Sequence, residues 1–259
     1  MQQAIDLREE GEELYKLLIQ LDDDAWESNT PFKNWRVNDV VAHLHTTDRV
    51  AVLALRDADG FRKMVRDGTR AIWPGTDNQT EIERGPALRE QWRAYLEELC
   101  DLLEGVDPSL RVPWFGPDMG ARMFATARQM ETWAHGQDIY DLLHVARTNT
   151  DRIKNISVIG VRTFGWTFAN RGMDIPGDPP YVRLHAPSGA LWEWNEPSET
   201  NFVAGSAVEF CHVVTQGRNL ADTNLTVVGD TASQWMSIAQ CFAGGPVDPP
   251  AAGARTWTA

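Results

Sequence analysis

The spacing of apolar residues along the first two thirds of the chain predicts a set of long amphipathic helices. Apolar side chains recur every three or four residues, which places them on one face of a helix. The segments with this pattern are 5–21, 37–58, 87–104 and 121–146. A further helix is expected over 150–171, with Asn149 or Thr150 at its start and Gly172 after its end.

After the stretch PGDPP at residues 176–180, apolar and polar residues alternate, which is the period of a β-strand. The segments YVRLHAP and ALWEW flank the turn PSG and predict a hairpin, and NFVAG predicts an edge strand. LTVVGD predicts another strand, while AVEFCHVVTQ and ASQWMSIAQCFAG predict short helices. The predicted fold class is α+β, with a helical bundle over 1–175, a small α+β domain over 176–245 and a flexible tail over 246–259.

Two long loops rich in helix-breaking residues interrupt the helical region, at 67–86 and in GVDPSLRVPWFGPDMG. Long ordered loops often carry function, and the second one leads directly into the helix at 121–146. We expect a pocket wall or lid, or alternatively a rigid plug, from the residues on and just after this loop. They are Trp114, Phe115, Met119 and Arg122.

Composition narrows the classes of partner. The chain has 24 Lys and Arg against 37 Asp and Glu, a net charge of −13, which disfavours nucleic acids and anionic membrane surfaces as partners. No apolar run approaches the roughly 20 residues of a membrane helix, and the N-terminal segment lacks the apolar core of a signal peptide. Three widely separated cysteines without a CxxC pair indicate reduced thiols. A cytoplasmic protein is therefore expected.

The helix at 121–146 carries a candidate pair of metal ligands. Glu131 and His135 are four residues apart, so their Cβ atoms lie about 6 Å apart on one face of the helix. Met130 and Trp133 surround them with apolar character, and burying a carboxylate there without a cation costs several kcal/mol. An ordinary helical side-chain pair is the alternative interpretation.

The helix at 37–58 offers a third ligand. His43 lies between Val41 and Leu44 on the face that must meet the bundle core, whereas His45, two positions later, points elsewhere. Two histidines and one carboxylate would leave one position open, the arrangement of catalytic zinc, and nickel also binds imidazole well. A histidine satisfied within the core is the alternative for His43.

Two motifs carry a resemblance to a known family. W-x-V-x-D-V-V-x-H from Trp35 to His43, and E-x-x-x-H-G-x-D from Glu131 to Asp138, resemble the DinB-like fold. They are most similar to the N-terminal domain of the mycothiol-dependent maleylpyruvate isomerases. RVPWFGPDM, TARQMETWAHGQDI and WMSIAQCFAG resemble an actinobacterial metal-binding branch of that superfamily. The resemblance covers most of the chain, and it implies that His43, Glu131 and His135 bind zinc.

The resemblance implies further roles. The C-terminal domain would cover the zinc pocket and lend it an arginine, for which Arg218 in QGRN is the candidate, with a solvated surface arginine as the alternative. Gly217 stands where the related branch often has a second basic residue. Asp138 is expected either to hydrogen-bond a ligand imidazole or to pair with an arginine. Trp35 is expected to pack beneath the His43 helix.

These features favour a zinc enzyme that uses mycothiol as a thiol cosubstrate, an isomerase or S-transferase acting on a small organic molecule. A thiol-independent metal-dependent hydrolase or lyase is an alternative, with His45, Asp48 or Asp138 as its possible base. A non-catalytic metal-binding protein is the other alternative. A monomer or a homodimer is expected.

Overall fold

The computed structural model describes residues 1–68 and 83–255, and the chain divides into two compact units. The first unit, Met1–Leu143, is helical, and the second, His144–Ala259, combines helices with a four-stranded sheet. Most of the loop predicted at 67–86 lies outside the described residues. None of the helices that the structure describes combines the length and the apolar character needed to span a bilayer.

Four long helices dominate the first unit, and all four were predicted within a few residues of their observed bounds. The unit contains α1 (Gln2–Leu18), α2 (Asp23–Trp26), α3 (Val37–Arg56), α4 (Ala58–Arg66), α5 (Gly85–Gly105), the two-residue strands β1 (Arg111–Val112) and β2 (Met119–Gly120), and α6 (Ala121–Leu143). Local chemistry explains where two of them begin. The Asp39 carboxylate accepts a hydrogen bond from the backbone N–H of Arg36 before α3, and Pro86 occupies the first turn of α5.

The bundle core lies between these helices and is apolar. α3 and α1 both pack extensively on α5, and α6 packs extensively on α1. Gly11 allows α1 to approach α5 closely, because a Cβ at this position would lie 2.0 Å from Cδ2 of Leu96. The core includes Leu7, Leu14, Leu18, Val40, Leu44, Trp92, Leu99 and Phe124. The helices therefore hold one another in place through packed side chains rather than through their caps alone.

The second unit begins with helices where one continuous helix was predicted. A short 3₁₀ turn (Asp151–Ile153) leads into α7 (Lys154–Arg162), and α8 (Phe164–Asn170) follows. The two helices are separated at Thr163, whose hydroxyl donates to the carbonyls of Ile159 and Gly160 at 2.8 and 3.0 Å. Such back-bonding bends helices, and the periodicity of apolar residues does not reveal it. Gly172, at φ +66°, follows the end of α8 as expected.

The sheet confirms the predicted hairpin and corrects the predicted position of one strand. Its strands are β3 (Tyr181–His185), β4 (Leu191–Trp194), β5 (Phe202–Ser206) and β6 (Thr226–Val228), and the remaining elements are α9 (Ala207–Val214), a 3₁₀ turn (Leu220–Asp222) and α10 (Asp230–Ile238). The order is β4-β3-β5-β6, with β3 antiparallel to β4 and β5 antiparallel to β6. The segment NFVAG, expected at an edge, forms β5, one of the two inner strands, which pairs in parallel with β3. Local alternation does not show which strands pair.

The observed division of the chain differs from the boundary expected near residue 175. α7 packs on α9, where Gly160 allows a close approach to Phe210 and Val214, and Phe164 of α8 contacts the ring of Trp235 on α10. The helices at 154–170 thus contribute to the core of the second unit. An amphipathic pattern identifies a buried face without showing which core buries it.

The segment after residue 245 is held to the rest of its unit by hydrogen bonds as far as Gly253, in contrast to the flexible tail expected from composition. The side chain of Gln216 donates to the carbonyl of Val247 at 2.7 Å, and that of Asn219 donates to the carbonyl of Pro250 at 2.7 Å. The backbone N–H of Gly253 donates to the Asp222 carboxylate. Side chains from other parts of the unit therefore bind the backbone of a segment whose own composition is loop-like.

Candidate metal centre

The structure brings His43, Glu131 and His135 together between α3 and α6. The Nε2 atom of His43 lies 3.3 Å from Oε2 of Glu131, and Nε2 of His135 lies 3.5 Å from the same oxygen. One potential ligand atom from each of the three residues falls within 4.8 Å of the others. The side chains are only 11–22% exposed, so the cluster is sheltered but still partly accessible to solvent.

The donor set and its spacing fit a divalent metal ion. Two imidazole nitrogens and a carboxylate oxygen are the ligands that catalytic zinc uses, leaving a fourth position open. Ligand atoms about 2.0–2.1 Å from a tetrahedral zinc lie about 3.3–3.4 Å from one another. The two separations to the Glu131 oxygen, 3.3 and 3.5 Å, match this value, and the two histidine nitrogens lie within 4.8 Å of each other.

The charges of the three side chains are coupled. Burial lowers the pKa of His43 below its ordinary value, against the opposite effect of the hydrogen bond with Glu131. Burial would also lower the pKa of His135, but hydrogen bonds with Asp138 and Glu131 outweigh it and raise that pKa to about 9. Burial would raise the pKa of Glu131, yet the two histidines hold it well below its ordinary range. Without metal, a charged His135 thus neutralises the Glu131 carboxylate.

Asp138 contacts the outer nitrogen of a candidate ligand. Its Oδ2 atom lies 3.2 Å from Nδ1 of His135, on the side of the ring opposite Nε2. A hydrogen bond at Nδ1 leaves Nε2 facing Glu131 and His43 and orients the imidazole. Two roles were considered for Asp138, and this contact corresponds to the first of them, a hydrogen bond to the imidazole of a candidate ligand.

A tight turn before α3 places two aromatic rings against the histidines. Lys33 and Asn34 both have positive φ, at 51° and 57°, and the N–H of Trp35 donates to the carbonyl of Phe32 at 2.8 Å. This backbone is that of a primed β-turn, which favours Asn and disfavours Lys. The ring of Phe32 meets His135 edge-on at 5.0 Å, and Trp35 lies 5.4 Å from His43. Trp35, predicted to pack beneath the His43 helix, packs against the bundle core and also flanks both imidazoles.

The neighbouring polar residues of α3 have other contacts. His45 is buried on another side of the helix, where its ring contacts Tyr95 of α5 at 5.2 Å, as its spacing from His43 predicted. Asp48, considered as a base, is fully buried and accepts hydrogen bonds from Arg128 and Trp92. Sequence reasoning did not identify Arg128, although a basic residue three positions before Glu131 on an apolar helix was a visible signal.

The loop before α6 packs on that helix away from the candidate ligands. Trp114 stacks on Phe61 at 5.8 Å and meets Phe124 edge-on at 5.0 Å, and Phe115 contacts both Phe61 and Trp114. Phe124 is seven residues before Glu131, about 10 Å along α6. Met119 lies in β2 and packs on the core, while Arg122 is exposed at the start of α6. A role for these four residues in a pocket stays a prediction.

Arg218 lies in the second unit and is fully buried, so the alternative of a solvated surface arginine is wrong. Its Nη1 atom donates to the carbonyl of Gly217 at 2.9 Å. Burial, together with the charges of Arg218, Arg147 and Arg255, holds the pKa of His212 well below its ordinary range. The catalytic role of Arg218 stays a prediction from the resemblance.

Comparison with known proteins supports the resemblance. The family described as "Mycothiol maleylpyruvate isomerase N-terminal domain" matches residues 7–140. Two uncharacterized proteins of Mycobacterium tuberculosis are each 39% identical over 246 residues, which is 93% of this chain and 95% of theirs. The crystal structure of a mycothiol-dependent maleylpyruvate isomerase has a TM-score of 0.53 and 13% identity, covering 82% of this chain and 87% of that one. A histidine-to-alanine mutant of that enzyme gives 0.51 and 14% over the same shares. With its helical N-terminal unit and its α+β C-terminal unit, the chain belongs to the mycothiol maleylpyruvate isomerase family within the DinB-like superfamily.

Proposed function

We propose that this protein is a zinc-dependent enzyme of the mycothiol-dependent isomerase or S-transferase type, acting on a small organic substrate in the cytoplasm. The observation that carries the proposal is the cluster of His43, Glu131 and His135, in which the Glu131 oxygen lies 3.3 and 3.5 Å from the two histidine nitrogens, separations that fit a tetrahedral zinc ion. The chain shares its fold with a mycothiol-dependent enzyme, which supports mycothiol as the proposed thiol cosubstrate.

The chain's own residues define what the site does. His43 and His135 each present Nε2, and Glu131 presents Oε2, so the ion would be held by three protein atoms. A divalent ion with an open position would lower the pKa of a bound thiol and supply a thiolate at neutral pH. Asp138 holds the His135 ring, and Phe32 and Trp35 exclude water from one side of both imidazoles.

The net charge of −13 also shapes the proposed substrate range. A strongly acidic protein repels polyanions, so a small substrate with few negative charges fits better than a nucleic acid or a phosphorylated polymer. The donors suit either zinc or nickel, since imidazole binds both ions well. Zinc is the ion that we propose for the cell.

Cobalt substitution tests the metal and the thiol together. Purified protein is freed of metal, loaded with Co²⁺ and titrated with mycothiol, and in parallel with S-methyl mycothiol, which has no free thiol. We expect a near-ultraviolet thiolate-to-cobalt charge-transfer band with mycothiol alone. If neither compound changes the spectrum while a non-thiol substrate does, the thiol-independent hydrolase or lyase becomes the better explanation.

Two variants of neighbouring histidines on α3 test the candidate ligands in the same experiment. His45→Ala removes a histidine from α3 that contacts Tyr95 rather than the cluster, so this variant should retain both the metal and the band. His43→Ala should lose them. A chain that binds no divalent metal in any of these measurements would contradict the proposal.

A further inference from the structure

A buried ion pair joins α3 and α6 close to the candidate metal centre. The guanidinium of Arg128 donates from Nε to Oδ1 of Asp48 at 2.9 Å, and Nη2 lies 2.9 Å from the same oxygen. The two side chains are 3% and 0% exposed. The other carboxylate oxygen accepts a hydrogen bond from Nε1 of Trp92 on α5 at 3.1 Å. The pair therefore connects three helices of the bundle.

The same network reaches the helix segments that carry the candidate ligands. Nη2 of Arg128 donates to the hydroxyl of Thr47 at 2.7 Å, and that hydroxyl donates to the backbone carbonyl of His43 at 2.8 Å. Arg128 lies three residues before Glu131 on α6, so less than one helical turn separates them. A continuous chain of hydrogen bonds thus runs from the α6 segment beside Glu131 to the backbone of His43.

Few direct contacts join α3 to α6. α3 packs mainly on α5 and α6 packs mainly on α1, and the direct contacts between α3 and α6 are far fewer. A buried ion pair seldom stabilises a fold more than well-packed apolar side chains of similar size would, and its best-attested use is to specify geometry. The Asp48–Arg128 pair links α3 and α6, and the separation of these two helices decides whether the candidate ligands can meet.

We propose that Asp48 and Arg128 are positioning residues, which hold α3 and α6 at the separation that lets His43 meet Glu131 and His135 around one divalent ion. The inference rests on the proposed metal-dependent function. Asp48 acts through Arg128 and Thr47 rather than on a substrate, because its carboxylate is fully buried and both oxygens accept hydrogen bonds from other side chains.

The test replaces the charged pair with apolar side chains of similar size, as Asp48→Leu combined with Arg128→Met. This double variant leaves no unpaired buried charge, so the fold is expected to survive. Zinc affinity should fall about 10- to 100-fold, the range seen when residues that orient metal ligands are removed. The visible absorption of bound Co²⁺ should also change in shape, which a loss of stability alone would not produce.

Two further variants keep the test decisive. Thr47→Val preserves the shape of the side chain and removes the hydroxyl between Arg128 and His43, so zinc affinity should fall about fivefold. The control is Glu12→Leu combined with Arg93→Met, which removes an ion pair of 3.0 Å between α1 and α5. This control should keep wild-type zinc affinity and an unchanged cobalt spectrum.

The outcomes separate the two proposals. If the wild type and the Asp48→Leu/Arg128→Met variant bind zinc equally and give the same cobalt spectrum, the positioning role is overturned while the metal function stands. If Thr47→Val binds zinc as the wild type does, the link through Thr47 is overturned in the same way. A wild type that binds no divalent metal would overturn the proposed function, and the positioning role with it.

Discussion

The indole ring of Trp35 stacks on the imidazole of His135, with centroids 5.8 Å apart and planes 12° from parallel. The turn that holds Trp35 contains two successive non-glycine residues with positive φ, Lys33 and Asn34. Backbone of this kind costs free energy and is maintained only where its surroundings demand it. We interpret the turn as a device that places aromatic surface against His43 and His135, two of the candidate metal ligands.

Replacement of Trp35 should affect stability more than metal stoichiometry. Trp35→Ala removes a half-buried ring and its contacts with two imidazoles, so the free energy of unfolding should fall by about 2 kcal/mol. Trp35→Phe keeps an aromatic ring and should recover more than half of this loss. Urea unfolding of the metal-free variants measures the effect, and atomic emission measures the zinc content. Loss of stoichiometric zinc in Trp35→Phe would contradict this interpretation.

Removal of a ligand should abolish the metal. His135→Ala and Glu131→Ala each leave two of the three candidate ligands, so purified protein should contain well under one zinc per chain. Asp141→Asn is a suitable control on the same helix, because Asp141 accepts a hydrogen bond from Gln137 at 2.9 Å and is not among the clustered residues. A triple alanine variant of His43, Glu131 and His135 that still holds one tight metal would locate the site elsewhere.

Zinc binding should release about one proton per chain near pH 7.5. The hydrogen bonds with Asp138 and Glu131 outweigh burial and raise the pKa of His135 in the metal-free protein to about 9, so the ring is charged at this pH and must lose a proton to bind metal. Burial lowers the pKa of His43, so that ring is already neutral. Calorimetric titration in buffers of different ionisation enthalpy counts the protons.

The raised pKa of His135 also determines how the stability of the metal-free protein changes with pH. A raised pKa stabilises the metal-free fold below the ordinary histidine value of about 6.5, and this contribution is lost as the pH rises towards 9, the folded-state pKa of His135. Chelator-treated protein should therefore lose stability between these two values, whereas zinc affinity should rise over the same interval. A zinc affinity independent of pH from 6.5 to 9 would contradict this assignment of charge.

Because α1 and α5 approach each other closely, a single methyl group added at Gly11 should destabilise the fold. A Cβ at Gly11 would lie 2.0 Å from Leu96, so Gly11→Ala should lower the free energy of unfolding by about 1–3 kcal/mol despite the higher helix propensity of alanine. Gly105, at the end of α5, has no atom within 4 Å of an added Cβ. Gly105→Ala should stay within about 0.5 kcal/mol of the wild type in urea unfolding. Equal effects at both positions would contradict the packing argument.

The sequence by itself determined the long helices and the placement of Glu131 and His135 on one face of α6. The period of apolar residues located α1, α3, α5 and α6, since burial of one helical face imposes that spacing wherever the helix packs. The four-residue separation of Glu131 and His135 placed both on one side of α6 before any tertiary contact was known. Such features depend only on neighbours along the chain.

The tertiary structure decided what depends on contacts between distant segments. It brought His43 within 3.3 Å of Glu131, paired Asp48 with Arg128 and placed β5 among the inner strands of the sheet. It also assigned the helices after residue 150 to the second unit. An amphipathic or alternating pattern indicates only that one surface is buried. Packing with distant segments determines which partner buries it.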